Sequence, residues 1–162
     1  MAPGAQRSGP VFWRWRWLWT SLIVAATAFP IRASAQQKVL ADKPFAEHRI
    51  VLQLSDRDTQ KQGLVISIAN NLLKAYDPDR IAIEVVAFGP GIDLLRADSP
   101  QRRRVDSLVA QGVRFDVCMN TVETVERQTG RRPRLNPKAV PVQVGVGQIL
   151  NLVESGFTLV RP

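Results

Sequence analysis

Three short, almost unbroken apolar runs, at residues 49–54, 81–88 and 113–117, constrain this chain more than any other feature. Runs of that length without polar alternation suit strands covered on both faces. The segments between them carry a helical period. Across residues 59–76, Val65, Ile68, Leu72 and Tyr76 fall on one helical face; Asp58 or Thr59 is available as N-cap, and Asp77-Pro78 is the stop. Ser99-Pro100 opens a second helix, a capping hydroxyl followed by proline at the first helical position. Its apolar side holds Val105, Leu108 and Val109, its polar side Arg102, Arg103 and Arg104, and Gly112 closes it. A third helix is predicted to open at Asn120 or Thr121, with Glu123 completing a capping arrangement.

Residues 130–141 carry Arg131, Arg132, Arg134 and Lys138 among three prolines, the composition of an exposed loop. Residues 144–154 then read as a helix with Val146, Ile149, Leu150 and Val153 facing inward, its first turn weakened by Gly145 and Gly147. Gly156 ends it before a last strand at 157–160. No tight hairpin signal joins successive strands, so right-handed crossovers are expected. The expected fold is α/β: a single three-layer domain with a mostly parallel sheet of about four to five strands and helices on both faces.

The N-terminus has the three parts of a secretory signal. Arg7, Arg14 and Arg16 precede an apolar run at 17–29, which is too short for the ~20 residues of a spanning helix. Ala33-Ser34-Ala35 then fits a signal peptidase. Residues 1–35 are accordingly expected to be a cleavable signal peptide, with a periplasmic or secreted product and no stable membrane span after processing. An uncleaved anchor is the competing reading. Residues 36–47, polar and without period, read as an extended leader before a domain at 48–162. Four of the 22 basic residues and none of the 14 acidic ones lie in the signal, so the net charge falls from +8 to +4 on cleavage. That balance, outside the cytoplasm, makes nucleic acid an unexpected partner.

Cys118 is the single cysteine. An exported protein normally uses cysteines in pairs, so a lone one is buried, joined to another molecule, or reactive. It sits where a strand passes into a helix, so first-turn N–H groups and the positive end of the helix dipole can stabilise a thiolate. The plain alternative is a small apolar residue at the end of a central strand. Ligands in an open parallel sheet bind beyond the carboxyl ends of the strands. There the exits Ser55-Asp56, Gly89-Pro90-Gly91 and Cys118-Met119-Asn120 can share a cleft, which makes Asp56, Gly89, Gly91 and Asn120 the candidate ligand-binding residues. Gly89-Pro90-Gly91 lacks the GxGxxG spacing of a dinucleotide site and reads first as a turn. His48 precedes the first strand, at the opposite end of the sheet from Cys118, and so is not a partner for it. One cysteine and one histidine do not make a metal shell, and neither metal nor organic cofactor is expected. The clusters at 102–104 and 131–134 read as solvated faces, with an anion or acidic-partner surface as the minor alternative.

The stretches "IVLQLSD", "IANNLL", "IEVVAFGPGIDLL", "QGVRFDVCMNT" and "ESGFTLVRP", in that order, resemble the DsrE/DsrF-like family of small α/β proteins, which includes sulfur-relay subunits and exported members. The resemblance runs from Arg49 to Pro162. It implies that Cys118, in "GVRFDVC", stands where the relay members carry sulfur as a persulfide, received from a sulfur donor and passed to an acceptor protein. It also implies trimers or hexamers, of one chain or of related subunits. The relay members work in the cytoplasm, whereas this chain begins with an export signal. The expected function is an exported thiol-based sulfur carrier or sulfurtransferase; the alternative is a non-catalytic oligomeric module that binds a small anion or a partner.

Overall fold

The computed structural model describes Lys43 and residues 45–162. The signal expected at 1–35 and the start of the leader lie outside the described residues. Among the described residues no helix is long and apolar enough to cross a membrane.

The expected alternation is present: β1 (His48–Leu54), α1 (Thr59–Ala75), β2 (Ile81–Ala87), a 3-10 helix (Gly89–Leu95), α2 (Arg102–Ala110), β3 (Arg114–Cys118), α3 (Met119–Thr129), β4 (Val140–Val142), α4 (Gly145–Glu154) and β5 (Thr158–Val160). The five strands form one parallel sheet in the order β4-β3-β2-β1-β5. From β1 to β4 each strand is added on the same side. Right-handed crossovers therefore put α1, the 3-10 helix, α2 and α3 on one face. The return from β4 to β5 crosses in the other direction, so α4 lies on the opposite face.

The core follows that division. Leu52, Ile83, Val85 and Phe115 meet Val65, Ile66, Leu95 and Leu108 on the four-helix side. A smaller cluster on the other face joins Val51, Ala82 and Val86 to Ile149, Leu152 and Phe157. Ala46, in the leader, is buried in this second cluster, and Lys43 Nζ donates to the carbonyls of Pro78 (2.7 Å) and Ile81 (2.9 Å). The described end of the stretch expected to be a leader is thus fastened to the start of β2 and the turn before it.

Local signals set most boundaries. Asp58 caps α1, its carboxylate accepting from Gln60 N at 2.7 Å. Ser99 Oγ accepts from Gln101 N at 3.3 Å and its carbonyl takes Arg102 N at 3.1 Å, a tight turn that delays α2 to Arg102. Gly112 leaves α2 at a φ of 85°, where a side chain would be strained.

Four expectations are corrected. Gly89-Pro90-Gly91 is not a free turn but the start of the 3-10 helix. The loop at 130–141 ends in an edge strand, β4, which tolerates Pro141 because an edge residue can lack a ladder N–H. The third helix begins at Met119 and has no capping hydrogen bond from a side chain, because Asn120 and Thr121 bond to neighbouring loops instead. The largest change concerns α4: of its expected inward residues only Ile149 is buried, while Val146, Leu150 and Val153 are exposed and Gly145, Gln148 and Leu152 face the sheet.

Candidate functional site

Cys118 is the last residue of β3 and the N-cap of α3, with an extended backbone (φ −71°, ψ 114°) that turns the chain from sheet into helix. It is only 6 % exposed. Across the sheet edge it pairs with Val142 of β4, which brings the start of α4 over the sulfur. Gly145 N, the first helical N–H of α4, donates to Cys118 Sγ at 3.3 Å, and the thiol points back to the Gln143 carbonyl at 3.8 Å. Val144, the N-cap of α4, supplies no side-chain acceptor. The sulfur therefore takes the place of the cap and satisfies one of the four donors that a helix start leaves open. Two helix N-termini converge on one sulfur, and both favour negative charge there.

This closeness suits glycine at 145, because a side chain there would press on its neighbours by a few tenths of an ångström. A Cβ added there would lie 3.1 Å from the Cβ atoms of both Cys118 and Phe88. Asn120 belongs to the same corner: its backbone N donates to the Gln143 carbonyl at 3.2 Å and its Oδ1 accepts from Gln143 Nε2 at 2.7 Å.

The other three candidates have partners of their own. Gly89 N donates to Thr121 Oγ1 at 3.0 Å, and Gly89 lines a cavity of about 240 Å³ with Arg57, Asp93 and Thr124. Gly91 lies against the end of β1, where its backbone approaches the Leu54 carbonyl too closely for any side chain. Asp56 pairs with Lys61 on α1.

Sequence reasoning missed the groups beneath α4. Asp116 precedes Cys118 by two residues and so shares its face of the sheet, and Glu84 stands beside it on β2; both are fully buried. Arg114 Nε lies 2.7 Å from Asp116 Oδ1 and 3.6 Å from Glu84 Oε1, and Gln148 Nε2 of α4 donates to Glu84 Oε1 at 2.7 Å. Glu84 Oε2 and Asp116 Oδ2 have no donor among the described residues. Burial, and then the hydrogen bond and charge of Asp116, push the Glu84 carboxyl up to about 9, against the opposing pull of Gln148 and Arg114. A proton on Glu84 shared with Asp116 satisfies the two open oxygens. Gln148 lies one turn beyond Gly145, so its bond to Glu84 holds the turn that presents Gly145 N–H to the sulfur. The legible signal was Glu84 itself, one charge inside the apolar strand IAIEVVA.

The parallel five-stranded sheet with helices on both faces is a DsrE/YchN-like α/β fold. The Escherichia coli protein YchN matches it at a TM-score of 0.55 and 14 % identity, over 71 % of this chain and 99 % of its own. MTH1491 of Methanobacterium thermoautotrophicum, a protein of unknown function, matches at a TM-score of 0.65 and 32 % identity, over 72 % of this chain and 100 % of its own. The chain belongs to the family of MTH1491. No protein-family model matches the chain, and no curated protein does.

Proposed function

We propose that this protein is an exported sulfur carrier or sulfurtransferase that holds sulfur as a persulfide on Cys118. The observation that carries the reading is the donation of Gly145 N–H to the Cys118 sulfur at the meeting of two helix N-termini. Such an arrangement stabilises a charged sulfur without a metal or cofactor. In the reaction the Cys118 thiolate attacks the outer sulfur of thiosulfate. A new S–S bond forms to Cys118, the donor S–S bond breaks with its electron pair leaving on sulfite, and the persulfide retains the negative charge. Attack by an acceptor thiolate on the outer sulfur then returns Cys118 as a thiolate. The small remaining exposure of Cys118 favours compact donors, thiosulfate or a polysulfide.

Incubating the purified protein with thiosulfate or polysulfide should add the mass of one or more sulfur atoms, seen by intact-mass spectrometry and removed by a reducing thiol. Cys118→Ser should abolish the gain. A wild-type protein that never gains sulfur sinks the proposal.

A second copy of the chain is the proposed partner, through α4. Val144, Val146, Leu150 and Val153 are all about half exposed there, and burying what remains open of each would contribute roughly 1 kcal/mol. Uncharged apolar side chains of this kind are self-complementary, the property an isologous interface needs. Sedimentation should show a wild-type oligomer and a folded monomer for Leu150→Asp. A wild type that is monomeric at every concentration removes this reading.

A further inference from the structure

The two arginine clusters expected to be solvated faces do not stay apart. Arg102, at the start of α2, and Arg131, Arg132 and Arg134, in the loop after α3, line one cavity of about 440 Å³ together with Arg96 from the end of the 3-10 helix. Asp98 is the one carboxylate in the lining. Three of the arginines have acidic neighbours: Arg96 has Asp93 and Asp98, Arg102 has Asp106, and Arg132 has Glu126. The side chains of Arg131 and Arg134 have no hydrogen bond or ion pair among the described residues. Val125 and buried Pro133 supply apolar lining. The loop is held in shape by Ala97 N donating to the Arg134 carbonyl at 2.8 Å and Asn136 N to that of Leu95 at 2.8 Å.

We infer that this cavity is a binding site for a small organic polyanion carrying two or more phosphate or carboxylate groups, separate from the Cys118 corner. Guanidinium forks bind either oxyanion through paired N–H groups. Five of them line one concavity that holds a single carboxylate, Asp98; Arg131 has no acidic partner among the described residues and Arg134 feels only the charge of Asp98, so these two can fork onto separate oxyanion groups. The volume is within the roughly 300–1,000 Å³ of small-molecule sites, and the apolar lining suits a carbon skeleton between the charges. Concavity also favours a small molecule over the flat surface of an acidic protein.

Calorimetric titration of the wild type with pyrophosphate, adenosine diphosphate and citrate, at about 0.15 M salt where diffuse attraction is screened, tests the site. At least one should bind with Kd below about 1 mM. The phosphate and citrate arms separate the two oxyanion classes. The double variant Arg131→Ala/Arg134→Ala should weaken binding by about tenfold or more, whereas Arg103→Ala/Arg104→Ala, which removes the same charge from outside the cavity, should leave it unchanged. Thermal melting checks that both variants are folded. Failure of all three probes to bind overturns the inference, as does equal weakening by the two variants, which would mark a diffuse field.

Discussion

Replacing Gly91 by alanine is expected to destabilise the fold by about 3 kcal/mol or more, the upper end of what overpacking costs. A Cβ there would lie 2.3 Å from the Leu54 carbonyl oxygen and 2.7 Å from its carbon, both backbone atoms that cannot swing aside. The same carbonyl accepts the Phe88 N–H at 3.1 Å, so relieving the clash disturbs the junction of β1 with the end of β2. Phe88 in turn lies against Gly145, and the disturbance should reach the cysteine corner. Chemical denaturation of Gly91→Ala beside Gly63→Ala, a helical site with nothing within 4 Å of an added Cβ, provides the comparison. A Gly91→Ala protein as stable as wild type would return this glycine to the role of a ligand contact.

Glu84→Gln is expected to stabilise the protein at and above neutral pH and to make no difference in mild acid. Burial and Asp116 raise the folded-state Glu84 carboxyl to about 9, whereas in the unfolded chain it titrates near 4.3. A group raised on folding contributes stability that is fully present below its unfolded value and is lost as the pH climbs towards the folded one. Between those limits the folded state keeps a proton that the unfolded state has released, and the loss is about 1.4 kcal/mol per pH unit. Glutamine carries no such linkage. Its amide can donate to Asp116 as the protonated acid does, and its oxygen can accept from Gln148. The stability advantage of the variant should be near zero around pH 4 and grow to roughly 3 kcal/mol by neutral pH. Urea unfolding of both proteins across that range measures it. A difference that does not change with pH would mean that Glu84 is ionised in the folded protein. The two carboxylates would then be bridged by Arg114, with Gln148 still tying α4 to Glu84.

Both effects arise at contacts between segments far apart in the chain, which is also where the sequence was least legible. The helix α4 shows this most clearly. Val146, Leu150 and Val153 form one apolar stripe and Ile149 and Leu152 another, so a periodicity argument has two acceptable answers. The second face of the sheet decides between them, because it presents Glu84, Asp116 and Cys118. A helix lying over those groups must turn a hydrogen-bonding Gln148 and a Gly145 N–H towards them, and Val146, Leu150 and Val153 are left outside. A buried acid without partners would cost more than those side chains lose in water.

Near-neighbour information was enough for the strands β1, β2 and β3, the helix α1 with its Asp58 cap, the glycine stops at 112 and 156, and the location of Cys118 at the junction of strand and helix. Each depends on a period or a cap that spans a few residues, and local sterics and hydrogen bonding fix those without reference to the rest of the chain. The sheet order, the Gly145 N–H on the Cys118 sulfur 27 residues away, the carboxyl pair beneath Gln148 and the gathering of five arginines around one cavity were decided by tertiary structure. Only the crossovers bring those groups within reach of one another, and what each then does depends on burial and on its neighbours' charge, which no local pattern carries.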